Sequence, residues 1–142
     1  MRLLLDTHVL VWLLTDSDRI SAAVYNQIER AAAQDLLFVS AITPWELAML
    51  VAKGRLVLSR DVGNWIDAAL SLPGIHLEAL SPAIAVASTR LPLTLLSGQV
   101  HPDPTDRILI ATARSIDATL VTADERILEY AKAGHLRCLA PA

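Results

Sequence analysis

Short apolar runs alternate along the chain with longer amphipathic segments. Leu3-Leu4-Leu5 comes directly after Met1-Arg2, and such a run is typical of a strand buried on both faces of a parallel sheet. Similar runs at 36–39, 75–80, 119–122 and 136–139 complete a set of five predicted strands. The segments between them place apolar residues three and four positions apart, which predicts helices. The alternation predicts an α/β fold, a parallel sheet with helices on both faces.

Capping and turn residues indicate where the predicted helices begin and end. Ser21 is suited to cap a helix that runs to Ala33 and buries Val24, Ile28 and Ala31 or Ala32. Besides the helix after Asp6, further helices are predicted at 43–53, at 61–70, from 82, at 105–115 and at 124–133. Pro73-Gly74 predicts a turn, and the prolines of 91–104 predict an irregular loop.

Composition confines the chain to one domain, residues 1–142, and excludes several classes of protein. Its hydrophobic fraction of 54% supplies a sizeable core. No apolar run reaches the roughly 18 residues of a membrane span, and no secretory segment is visible, so we expect a cytoplasmic protein without a membrane partner. The single cysteine, Cys138, excludes a cysteine-only zinc site and is expected to be a buried apolar residue. A net charge of −3 argues against nucleic-acid binding by bulk positive charge.

Four acidic residues occupy positions at which a parallel sheet collects functional groups. Asp6 follows the first predicted strand and Asp124 the fourth, and ligands of such sheets gather beyond the carboxyl ends of the strands. Glu46 and Asp106 lie on the apolar faces of their helices. Each acid also has a purely structural interpretation: the three aspartates suit helix N-termini, and Glu46 suits a solvated face. These separate interpretations do not explain why all four would point inward.

If the four carboxylates converge, their mutual repulsion requires protons or cations between them. Two unit charges 4 Å apart repel by roughly 4 kcal/mol at an effective dielectric constant of 20. All the ligands would be hard oxygens, without a cysteine or a metal-spaced histidine pair, and this set favours Mg²⁺ or Mn²⁺ over zinc. Open carboxylate sites for these ions usually serve phosphate chemistry.

Asp103 and Asp106 both qualify as the third ligand, and their positions separate them. Asp103 precedes Pro104, and a residue before proline is pushed out of the helical region, so Asp103 is predicted to be the N-cap. Asp106, one turn later, shares the stripe of Leu109 and Ile110 and is assigned to the metal. Contact of Asp103 with a metal through water is kept as an alternative.

Four segments of the chain resemble the PIN-domain nucleases, and above all the VapC toxins of bacterial toxin–antitoxin pairs. These segments are LLLDTHVLVWLL, VSAITPWELAML, DPTDRILIATA and LVTADERI, and they occur in the order found in that family. The resemblance implies a sheet ordered 3-2-1-4-5. It places the family's acidic quartet on Asp6, Glu46, Asp106 and Asp124, and its hydroxyl residues on Thr7, Ser40 and Thr122. The chain departs from the family in a longer loop at 91–104 and in Thr105, where relatives usually have an aromatic residue.

The resemblance also implies an activity and partners. It implies an endoribonuclease dependent on Mg²⁺ or Mn²⁺, a homodimer, and a cognate VapB-like antitoxin that blocks the site. Asp6 would be the central metal ligand with Glu46 and Asp106, and Asp124 would position a second metal or the water. A metal-activated water would hydrolyse the RNA phosphodiester and leave 5′-phosphate and 3′-hydroxyl ends. Arg107 is a candidate for offsetting charge on the phosphate. An amphipathic antitoxin helix is expected in an apolar groove, with an antitoxin arginine entering the acidic site.

Three other functions use similar residues. A phosphoacceptor signalling domain needs a late lysine after a strand, and neither Lys53 nor Lys132 follows a strand end. A haloacid-dehalogenase-type phosphatase needs an aspartate two residues after Asp6, where this chain has His8. A metal-binding PIN scaffold without turnover, acting as an interaction module, is disfavoured by the acidic quartet but left open.

No catalytic chemistry is assigned to the histidines or tryptophans. His8, His76, His101 and His135 are scattered along the chain and are not assigned to catalysis. Trp12 and Trp45 are assigned to the core or to a dimer interface rather than to base stacking.

Overall fold

Five strands form one parallel sheet in the computed structural model, which describes residues 1–15, 18–92 and 103–142. The strands are β1 (Leu3–Leu5), β2 (Leu37–Ser40), β3 (Ile75–Glu78), β4 (Thr119–Val121) and β5 (Cys138–Leu139). Their order across the sheet is β3-β2-β1-β4-β5, as the resemblance implied. The first strand is central, since Leu4 is opposite both Phe38 of β2 and Leu120 of β4. Asp6 therefore ends the most enclosed strand of the sheet.

Seven helices in the described residues connect and cover the strands. They are α1 (Thr7–Leu14), α2 (Ala22–Ala33), α3 (Ile42–Ala52), α4 (Val62–Leu70), α5 (Pro82–Ala87), α6 (Pro104–Ser115) and α7 (Glu125–Ala131). The predicted N-cap of α2 is confirmed, because the Ser21 hydroxyl accepts a hydrogen bond from the Val24 N–H at 3.2 Å. None of the helices in the described residues is long and apolar enough to cross a bilayer.

Several predicted boundaries were wrong by a few residues. The third strand was predicted to run to residue 80, but it ends at Glu78 because its partner β2 ends at Ser40. The helix predicted from residue 124 begins at Glu125, since Asp124 is its N-cap. The last strand covers 138–139 rather than 136–139. Most of the predicted loop, residues 93–102, lies outside the described residues, as does His101.

The core has two layers, one on each face of the sheet. Leu3 and Leu5 point to one face, where they pack with buried residues of α1 to α4. Leu4 points to the opposite face and packs with buried residues of α5, α6 and α7. All three leucines are fully buried. This confirms the prediction of a strand buried on both faces and of helices on both sides of the sheet.

Gly74 makes the turn from α4 into β3 possible. It has a φ of +84°, and a Cβ atom there would lie 2.2 Å from the Ala32 carbonyl oxygen. Only glycine fits this position without a shift of backbone. The Pro73-Gly74 turn predicted from the sequence thus also sets how closely the chain approaches α2.

Candidate active site

A cavity of about 330 Å³ opens beyond the carboxyl ends of β1 and β4. It is lined by Asp6, His8, Glu46, Asp103, Asp106, Ala123 and Asp124. The fold brings together four segments that are distant in the sequence: the end of β1, the start of α3, the start of α6 and the end of β4. All four predicted acids therefore share one cavity, which we call the acidic cavity. Arg107, half-buried on α6, does not line it.

Asp6 is both a helix cap and a site residue. Its Oδ1 accepts a hydrogen bond from the Thr7 N–H at 2.7 Å, and its Oδ2 accepts one from the Thr122 hydroxyl at 2.6 Å. Only 8% of the residue is exposed. Two donors thus fix the orientation of the carboxylate while both oxygens keep further lone pairs towards the cavity. The capping and the ligand interpretations of Asp6 are compatible.

Hydroxyl groups join the strands and helices around the acids. The Thr122 oxygen also accepts a hydrogen bond from the Asp124 N–H at 3.0 Å, so one buried threonine positions both aspartates. Thr7 is fully buried, and its hydroxyl lies 3.5 Å from that of Thr43. Ser40 accepts a hydrogen bond from the Ile42 N–H at 3.1 Å and fixes the start of α3. All three hydroxyl residues named by the resemblance thus lie next to the segments that carry the acids.

The three remaining acids differ in their burial and in whether they also cap a helix. Glu46 is half-buried in α3, where Thr43 and Leu47 are the fully buried residues. Asp106 is buried in the first turn of α6. Asp124 is half-buried, and its Oδ1 accepts hydrogen bonds from the Arg126 and Ile127 N–H groups as the N-cap of α7. Asp124 therefore combines a cap with a place in the acidic cavity.

Asp103 is the N-cap of α6, as predicted from its place before proline. Its Oδ1 accepts a hydrogen bond from the Thr105 N–H at 2.8 Å, and Pro104 is the first helical residue. Asp103 is exposed but also lines the acidic cavity. The cap assignment is confirmed, and contact of Asp103 with a metal through water stays a prediction.

Burial and mutual repulsion raise the pKa values of three acids. Burial, followed by repulsion from the carboxylates of Asp6, Asp103, Asp124 and Glu46, raises the pKa of Asp106 from 3.8 to about 8. Burial raises the pKa of Asp6, although the hydrogen bonds from Thr122 and Thr7 oppose this rise. Burial also raises the pKa of Glu46, against a hydrogen bond with the Thr7 side chain. The acidic cavity is therefore a site that favours protons or cations.

The donor set of the acidic cavity suits a hard divalent ion, but its side chains are not gathered around one point. Every acid that lines it offers carboxylate oxygens, which are the ligands Mg²⁺ and Mn²⁺ prefer. Among the described residues, no three acidic, histidine or cysteine side chains are close enough together to hold one ion as they stand. Binding of an ion would therefore require rotation of the acidic side chains towards each other.

His8 is the residue of this site that the sequence did not single out. It is exposed in the first turn of α1 and lines the acidic cavity, where its charge lowers the pKa values of Asp6 and Glu46. Its place two residues after a strand-end aspartate was the available signal.

Trp45, assigned to the core or to an interface, is 54% exposed and thus does not belong to the core of this protomer. Cys138 is half-buried, and burial raises the pKa of its thiol to about 12.

Comparisons with known proteins agree with this fold. The family model described as PIN domain matches residues 3–133. The chain is 33% identical over 127 residues to Ribonuclease VapC22 of Mycobacterium tuberculosis. The aligned residues cover 89% of this chain and 90% of that protein.

Two solved structures share the fold over almost the full length of both chains. One is VapBC2 from Rickettsia felis bound to a DNA fragment from their promoter, with a TM-score of 0.71, 20% identity, and 99% of this chain and 98% of that chain covered. The other is FitAcB from Neisseria gonorrhoeae, with a TM-score of 0.66 and 21% identity. That match covers 98% of this chain and 97% of the other chain. The family match, the identity to a VapC protein and the strand order lead to one conclusion: the chain belongs to the PIN domain family.

Proposed function

We propose that this PIN-domain protein is an endoribonuclease that depends on Mg²⁺ or Mn²⁺, and that it acts as a toxin restrained by a cognate antitoxin. The observation that carries the proposal is the meeting of four carboxylates from distant segments in one cavity. The identity of 33% to a protein named as a ribonuclease supports the substrate class. Buried carboxylates repel each other and cost stability, so their presence in one cavity favours a functional over a structural role.

The residues that would hold a divalent ion are Asp6, Glu46, Asp106 and Asp124. When bound, such an ion offsets negative charge on a phosphodiester and makes a water molecule more acidic. The pKa of about 8 for Asp106 means that this carboxyl group must lose a proton to become an ionic ligand at neutral pH. We therefore expect metal binding to release protons.

The hydroxyl residues would act as positioning residues. Thr122 donates to Asp6 and accepts from the Asp124 N–H, so it keeps the carboxylates of two strand ends in fixed relation. The Thr7 hydroxyl lies 3.5 Å from that of Thr43 and so connects the starts of α1 and α3, and the Ser40 hydroxyl accepts a hydrogen bond from the Ile42 N–H at the start of α3. Contact of Arg107 with the substrate phosphate stays a prediction, and it would come from outside the acidic cavity.

Exposed apolar side chains support the proposed protein partners. Leu77, Leu80 and Val86 are large apolar residues with more than a third of their surface exposed. Such surface is often covered by another chain, and we propose that a homodimer and an antitoxin helix cover it. An arginine from the antitoxin would neutralise the acidic cavity through charge-assisted hydrogen bonds.

Expression of the chain in bacteria without an antitoxin tests this function. We expect growth arrest and degradation of RNA with the wild type, and normal growth with Asp6→Asn at the same protein level. Asp67→Asn, on the exposed face of α4, is the matched control and should remain toxic. Growth arrest by Asp6→Asn that equals the wild type, without RNA degradation, would instead favour a non-catalytic interaction module.

A further inference from the structure

The outer face of α3 carries an exposed aromatic residue that the acidic cavity does not explain. Trp45 is 54% exposed in the first turn of α3 and directly precedes Glu46, which lines the acidic cavity. The indole ring is the largest aromatic group of the amino acids, and when exposed it offers a flat apolar face to a partner. Consecutive residues of a helix point about 100° apart, so the Trp45 ring lies on a different face of α3 from Glu46, within one turn of it.

The same helix leads into a segment whose charged side chains are all basic. We call residues 53–60 the basic loop, because its charged residues are Lys53, Arg55 and Arg60 and it contains no acid. All three side chains are exposed, and no ion pair or hydrogen bond of the described residues engages them. Lys53 follows Glu46 by seven residues, which places it on nearly the same side of the helix, roughly 10 Å further along its axis.

We propose that Trp45 and the basic loop bind single-stranded RNA next to the cleavage site. Trp45 stacks on an unpaired base, and Lys53, Arg55 and Arg60 contact backbone phosphates. This inference rests on the proposed function and specifies the form of its substrate. Stacking on aromatic side chains requires bases that are free of a duplex, whereas cations alone would also accept paired RNA.

Charge favours RNA over a protein at this surface. The chain has a net charge of −3 and an acidic cavity, so a polyanion needs local cations to approach it. An antitoxin segment that places an arginine in the acidic cavity would be repelled by the three cations of the basic loop. A polyanion with exposed bases satisfies both the indole ring and the cations.

Binding of a fluorescein-labelled uridine 12-mer, measured by anisotropy in EDTA, tests the inference without cleavage. We expect Trp45→Leu to weaken binding by about 5- to 150-fold and Trp45→Phe to retain most of it. Replacing Lys53, Arg55 and Arg60 together by glutamine should lower the slope of log affinity against log salt by about 2, since each phosphate contact on a single strand contributes about 0.7. Arg30→Gln, an exposed arginine in the last turn of α2, is the control and should leave binding unchanged.

Two other probes make the outcomes decisive. A 12-base-pair RNA duplex should bind more weakly than the single strand, and equal affinities would overturn the stacking role. RNA binding that Trp45→Leu leaves unchanged, with loss of a dimer in light scattering, would assign Trp45 to an interface between copies. Because binding is measured without metal, a wild type that binds RNA but never cleaves it would refute the proposed activity and leave this inference standing.

Discussion

Asp106→Asn should stabilise the metal-free protein at alkaline pH and leave its stability unchanged at acidic pH. The carboxyl group has a pKa of about 8 in the folded state, against an ordinary value of 3.8. Below about pH 4 it is protonated in both the folded and the unfolded chain, so it does not affect unfolding. Between about pH 4 and 8 the Asp106 carboxyl group is ionised in the unfolded chain but protonated in the folded protein, so the free energy of unfolding falls as the pH rises. Above about pH 8 the carboxyl group is ionised in both states, and the free energy of unfolding is lowered by the full amount.

The size of this effect follows from the pKa shift. One pKa unit is about 1.4 kcal/mol, so the shift of Asp106 sets an upper limit of roughly 6 kcal/mol. The acidic cavity is open to solvent, and water and salt screen the repulsion, so we expect about 2 kcal/mol. The asparagine removes the charge and keeps the shape, and this stabilisation should therefore appear at pH 8.5.

Urea unfolding in EDTA at pH 8.5 and at the lowest pH at which the protein stays folded measures this difference. Asp67→Asn, at an exposed aspartate of α4, is the control and should change stability little at either pH. Stabilisation by Asp106→Asn of equal size at both pH values would indicate improved packing rather than relief of repulsion. No stabilisation at pH 8.5 would refute the electrostatic reasoning.

Further predictions concern the other residues of the site. Asp6→Asn should reduce metal-dependent RNA cleavage at least ~100-fold, measured with a fluorogenic RNA, because the ion loses its central ligand. Asp103→Ser should retain the α6 cap and most of this cleavage, whereas Asp106→Asn should abolish it; equal loss in two folded variants would contradict the division of roles. Thr122→Val should lower the free energy of unfolding by about 1–3 kcal/mol, because it removes a buried donor to Asp6 and an acceptor for the Asp124 N–H. Thr122→Ser should recover most of that stability in the same urea titration, and failure of the serine variant would assign the loss to the methyl group. Mg²⁺ should raise the melting temperature of the wild type but not of Asp106→Asn, and equal increases would show that the ion binds elsewhere.

Much of the fold could be predicted from local patterns. The leucine run at 3–5 indicated a central strand because only a strand covered on both faces is apolar throughout. Ser21, Asp103 and Pro104 marked helix starts correctly because capping depends on neighbouring residues alone. Strand ends were less predictable, since β3 stops where its partner β2 stops, and that pairing lies outside its own sequence.

The site was predictable where an acid followed a strand and less so elsewhere. Asp6 and Asp124 lie in one cavity because their strands β1 and β4 are neighbours in the sheet. His8 was not recognised, since its exposure and its direction towards the cavity depend on how α1 leaves the sheet. The core alternative for Trp45 was wrong because α3 is apolar nearly all round, and periodicity does not show which side of such a helix is buried. The interface alternative stays a prediction.

Cleavage of a defined single-stranded RNA by the purified protein tests the central claim most directly. The reaction is run with Mg²⁺, with Mn²⁺ and with EDTA, and the product ends are identified by mass spectrometry. We predict cleavage with either ion, none with EDTA or with Asp6→Asn, and products with 5′-phosphate and 3′-hydroxyl ends. Cleavage in EDTA, or 2′,3′-cyclic phosphate ends in the fresh products, would contradict hydrolysis at a carboxylate-bound metal.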